Sequence, residues 1–113
     1  MRQVNQNIIP VQSAATVTTA AIPALNLFYA SAQIAATGAG AAGTLVMQAS
    51  NDDLTAANAV PVNWSNIPSA TIAVSGAGAF LIPKIELSYQ WVRLVYTNSG
   101  TGTISVVFKA LGQ

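Results

Sequence analysis

Ser88-Tyr89-Gln90-Trp91-Val92-Arg93-Leu94-Val95-Tyr96-Thr97-Asn98-Ser99-Gly100-Thr101-Gly102-Thr103-Ile104-Ser105-Val106-Val107-Phe108-Lys109-Ala110-Leu111 decides the fold class. In Ser88–Thr97, the set Val92, Leu94, Tyr96 opposes Tyr89, Trp91, Arg93 and Val95, the period-two pattern of a strand. Both sides are substantially apolar, which marks a central strand. In Thr103–Leu111, Ile104, Val106, Phe108 and Ala110 face inward, opposite Thr103, Ser105, Val107 and Lys109. The glycines of Asn98–Gly102 can supply the positive φ of a short loop, so the two runs are expected to form a C-terminal β-hairpin.

The same pattern extends upstream. Gly43–Ser50 places Leu45, Met47 and Ala49 on one face, with Thr44, Gln48 and Ser50 on the other. Ala70–Ser75 sets Ile72 and Val74 together. Gly76-Ala77-Gly78 then turns the chain into Ala79–Ile82, which Pro83 should end or confine to a sheet edge. Leu25–Thr37 alternates with Phe28, Ala30, Ala32 and Ile34 on one side. Its alanines are compatible with a helix, but Phe28-Tyr29 and the glycine-rich turn Thr37–Gly43 favour a strand. Thr16–Ile22 adds another. Short strands with turns at this spacing predict an all-β fold, a single antiparallel β-sandwich or jelly roll of about seven or eight strands.

Gln3–Gln12 alternates amides with Val4, Ile8, Ile9 and Val11, and Pro10 prevents a regular helix. It reads either as a frayed terminus or as an extended arm laying aliphatic side chains on a neighbouring subunit. The expected organisation is therefore an N-terminal arm over 1–12 and a sandwich domain over 13–113. Deleting the arm should leave the fold intact.

Composition bounds the function. The 113 residues include four basic and three acidic side chains, whereas an average soluble domain would carry about 28 charged residues. No histidine and no cysteine are present, which excludes disulfides, imidazole or thiolate metal sites, Cys nucleophiles and His-based acid–base schemes. The basic residues do not cluster, so nucleic-acid binding lacks its main energy source. Polar residues interrupt Ala14–Ala36, leaving no run of about 18 apolar residues and no expectation of a membrane span. No secretory signal is apparent after Met1-Arg2, so the chain is expected to fold where it is made. With 52% hydrophobic residues and a net charge of +1, the surface is poorly protected against association and suits a protein covered by partners.

No catalytic, cofactor or metal constellation emerges. Asp52 and Asp53, with Asn51 and Asn58, lack the ligand spacing of a calcium loop and fit an Asx-type turn. The only other acid is Glu86. Gly38–Gly43 superficially matches a phosphate-binding loop but leads into a strand instead of a helix. The long polar connection Asn51–Trp64 is a candidate functional loop. Trp64, Tyr89 and Trp91 are expected as interface anchors, with Arg93 beside Trp91 able to stack on an aromatic ring. The same aromatics could instead present flat faces to a glycan.

Leu45-Val46-Met47-Gln48-Ala49-Ser50-Asn51-Asp52, Trp64-Ser65-Asn66-Ile67, Ala70–Gly76, Tyr89-Gln90-Trp91-Val92-Arg93-Leu94-Val95-Tyr96-Thr97 and Gly100-Thr101-Gly102-Thr103-Ile104 follow one another in order. This succession, from about Gly43 to the C-terminus, resembles small β-sandwich virion proteins of tailed bacteriophages. The resemblance implies a head decoration or cement protein on the capsid surface, synthesised in the host cytoplasm. Its implied partners are the major capsid protein and further copies of itself, as a dimer or trimer. A carbohydrate-binding module of a tail or fibre, used in host attachment, is the alternative.

Overall fold

The computed structural model describes residues 3–12, 16–53 and 60–112, excluding the side chains of 10–12. Nine strands occur among them: β1 (Gln3–Gln12), β2 (Thr16–Thr18), β3 (Ile22–Pro23), β4 (Leu27–Thr37), β5 (Ala42–Ser50), β6 (Ser65–Ser75), β7 (Gly78–Glu86), β8 (Trp91–Asn98) and β9 (Thr103–Gly112). No helix occurs among the described residues. One sheet has the order β1-β9-β4-β7; the other is β2-β8-β5-β6, with β3 also on β8.

All pairings are antiparallel and nested. β1 pairs with β9, β2 and β3 with β8, β4 with β7, and β5 with β6. Such nesting is that of one long hairpin folded over on itself. Closing the roll adds the contacts β4 with β9 and β5 with β8. With β2 and β3 counted as one broken strand, this is an eight-stranded jelly roll.

Alternation explains the core. Ile34, Ile104, Val106 and Phe108 of the first sheet and Leu45, Met47, Val92, Leu94 and Tyr96 of the second are buried together. The small residues of β4 accommodate larger neighbours, as where Ala32 lies in register with Phe108. Phe28 departs from its expected inward face. A register shift between Leu27 and Tyr29 inserts one residue, so Leu27 is buried and Phe28 is 46% exposed.

Asn98–Gly102 is not a hairpin turn, contrary to the sequence expectation. β8 and β9 lie in opposite sheets, and the segment arches between them. Ser99 N donates to Ala42 O and Thr101 N to Gly40 O, each at 2.9 Å, zipping this arch to the one at 38–41. A Cβ on Gly38 (φ +100°) would lie 3.1 Å from Gly102 Cα, which explains the glycines as a close approach of two backbones.

Gln3–Gln12 is also corrected. It is the edge strand β1 of its own sandwich, registered from Gln3 opposite Leu111 to Gln12 opposite Ile104. Ile9 is fully buried. A shift between Asn7 and Ile9 breaks strict alternation and turns Ile9 inward. Removing residues 1–12 would therefore expose the core beneath Ile9 and destabilise the fold, contrary to the expectation that it stays intact.

The prolines follow the topology. Pro10 lies on β1, Pro23 on β3, Pro68 on β6 and Pro83 on β7, one on each sheet edge, while the central strands have none. Lacking an N–H, each blocks continuous pairing with another chain. In a chain with few lysines to guard its edges, proline takes that role.

Candidate functional site

Residues from the segments 24–26, 51–53, 60–64 and 87–90 meet at one end of the sandwich, where Asn51 Oδ1 accepts from Gln90 N and Asn51 lines a recess with Leu25. Asp52 closes the longest connection, 51–64. Its Oδ2 accepts from Val62 N at 2.7 Å and Asn63 N at 3.0 Å, and its Oδ1 accepts from Asn63 Nδ2 at 3.0 Å. Ser50 Oγ accepts from Asp52 N at 3.2 Å. The Asn63 side chain, then the Val62 and Asn63 amides, hold the Asp52 carboxyl below the usual carboxylate range. The expected Asx-type role is thus extended: the carboxylate ties the outgoing limb of the loop to the returning one. Asn58 lies outside the described residues.

A second tie crosses the outer face of the β2-β8-β5-β6 sheet. Asn66, Gln48 and Arg93 stand in one row, because Gln48 is in register with both. Arg93 Nε donates to Gln48 Oε1 at 2.8 Å, and Gln48 Nε2 donates to Asn66 Oδ1 at 2.9 Å. The Arg93 guanidinium lies 4.3 Å from the Trp64 ring centroid, a cation–π contact. Trp64 Nε1 donates to Pro61 O at 3.1 Å, and Trp91 Nε1 to Asp52 O at 3.2 Å.

Trp64, Trp91 and Arg93 are therefore half-buried clamps on the 51–64 connection rather than freely projecting anchors. Tyr89, also half-buried, lines two adjoining recesses. Val4 and Ile8 are half-buried against the core and Ile9 is within it, so Ile9 is corrected from an interface residue to a core residue. The Val11 side chain lies outside the described residues. Period-two alternation does not reveal that the Trp91 indole N–H will be taken by the distant Asp52 carbonyl.

The outer face of the other sheet carries four exposed large apolar side chains, which were not selected from the sequence. Leu81, Gln33, Val107 and Asn7 form one row across β7, β4, β9 and β1; Glu86, Tyr29, Leu111 and Gln3 form another. Leu81 is 55% exposed, and Tyr29, Val107 and Leu111 are each exposed by more than a third. Lys84 Nζ lies 4.6 Å from the Tyr29 ring centroid. Val107 stood in the sequence on the outward side of its strand; Leu81, Tyr29 and Leu111 became visible once the register was known. Among the described residues no group of three potential metal-ligating acids converges.

The chain matches no protein-family model and no curated protein.

Proposed function

We propose that the protein is a structural virion component, a capsid decoration or cement protein that attaches face-on to major capsid protein subunits and bridges them non-covalently. The observation that carries this reading is the outer face of the β1-β9-β4-β7 sheet, on which Tyr29, Leu81, Val107 and Leu111 stand exposed among the amides of Gln3, Asn7 and Gln33, with Lys84, Glu86 and Lys109 beside Tyr29 and Leu111. Apolar side chains grouped on a flat face within a polar surround are characteristic of a partner surface. Proline on all four sheet edges disfavours strand addition, which favours attachment through a sheet face. On the opposite sheet the Trp64 ring lies over Arg93 and is held by Pro61 O.

Several weak attachments held at once suit a cement role, because multivalency multiplies modest affinities. The jelly roll itself occurs in capsid and lectin domains and discriminates poorly between them. The sequence resemblance to phage virion sandwiches favours the capsid. The test is cosedimentation of the Leu81→Lys/Val107→Lys variant with purified heads lacking the chain. Occupancy should fall sharply while the melting transition is retained; wild-type occupancy would reject the face.

A further inference from the structure

We propose that the loop end of the jelly roll is a binding site for a neutral saccharide, centred on Tyr89. A recess of 180 Å³ is walled by Asn51, Asn63, Ser65, Asn66 and Tyr89, and a second of 460 Å³ adjoins it, with Asn51 and Tyr89 in both walls. Together they reach the range of about 300–1,000 Å³ occupied by small-ligand sites. Among the described residues no charged side chain lines either recess. Phosphate, carboxylate and ammonium ligands would find no counter-charge there.

Three amides in the first recess are held by the protein and keep one polar atom uncommitted among the described residues. Asn51 Oδ1 accepts from Gln90 N at 3.0 Å, leaving Nδ2. Asn63 Nδ2 is taken by Asp52, leaving Oδ1. Asn66 Oδ1 is taken by Gln48, leaving Nδ2. The remainder is donor, acceptor and donor, already oriented by the frame, with the Ser65 hydroxyl beside them. Sugar hydroxyls both donate and accept and match such a set. The Tyr89 ring, with exposed Phe28 in the adjoining recess, offers apolar surface to the C–H face of a pyranose. The aromatics that carry the site are thus Tyr89 and Phe28, while Trp64 and Trp91 are occupied in holding the loop. This site is independent of the capsid-facing sheet and of the cement reading.

The experiment is a ¹H–¹⁵N titration of the whole chain with neutral trisaccharides of glucose, mannose, galactose and N-acetylglucosamine. At least one should shift the Asn51, Asn63 and Asn66 side-chain amide signals saturably, with Kd about 1 mM or tighter. Tyr89→Ala should weaken binding by about tenfold, and Asn66→Ala by roughly threefold. Asn66 is exposed, so its variant tests the site even if Tyr89→Ala perturbs the fold, which the same spectra reveal. No saturable shift up to about 20 mM, well above the expected Kd, would overturn the proposal. Binding that both variants leave unchanged would do so equally.

Discussion

Ile9→Ala tests whether β1 belongs to its own sandwich or is an arm for a neighbour. Ile9 is fully buried and in register with Val106 of β9. The substitution removes three buried carbons, worth about 2.4 kcal/mol at ~0.8 kcal/mol each. An unrelaxed cavity would add roughly 1–2 kcal/mol. β1 is an edge strand with a register shift on either side of Ile9, so it can settle partway into the space. The expected destabilisation is therefore about 3 kcal/mol. With a urea m-value of about 1.5 kcal/mol/M, the midpoint should fall by roughly 2 M. Val107→Ala, on the exposed outer face of the neighbouring strand, should cost less than about 0.5 kcal/mol. Equilibrium unfolding of the dilute protein supplies the measurement. An Ile9→Ala effect as small as the control, or one that appears only at high protein concentration, would refute intrachain docking of β1.

Other consequences can be checked with the same methods. A double-mutant cycle of Trp64→Ala and Arg93→Ala should give a coupling of about 0.5–1 kcal/mol, as expected for a partly exposed cation–π pair; additive effects would remove the clamp. Because the folded Asp52 carboxyl titrates below its unfolded value of about 3.9, its contribution is present above that pH and is lost as pH falls through the folded value. Asp52→Asn should flatten this acid dependence in unfolding midpoints, and an unaltered acid limb would discount the loop tie. Gly43→Ala would place a Cβ 2.5 Å from Tyr96 Cζ and 2.6 Å from Thr97 O, costing about 3 kcal/mol in melting experiments. Adding Tyr96→Phe should relieve only part of that cost, since the Thr97 carbonyl remains in the way.

The all-β class and the core faces of β5 and β9 were legible because alternation reports burial directly. Leu45, Met47, Val106 and Phe108 lie inside as their spacing predicts, whereas on β8, with both faces apolar, the structure turns Val92, Leu94 and Tyr96 inward. Sheet membership was not legible. Asn98–Gly102 signals a chain reversal, but a reversal back along the same sheet and one across to the facing sheet use the same glycines. Register shifts were equally hidden: one inserted residue turns Phe28 outward, and another turns Ile9 inward. The candidate sites depend on these long-range facts. Gln48, Arg93 and Trp64 meet only after β8 is laid beside β5 and the 51–64 connection folds back.

The central proposal, that this charge-poor jelly roll serves as one of many copies fixed to a shell, is tested most directly by counting. On this proposal, quantitative mass spectrometry of purified, salt-washed particles of a virus whose genome encodes the chain should find on the order of hundreds of copies per particle, in fixed ratio to the major capsid protein. A few copies per particle, or loss of the chain on washing, would contradict it.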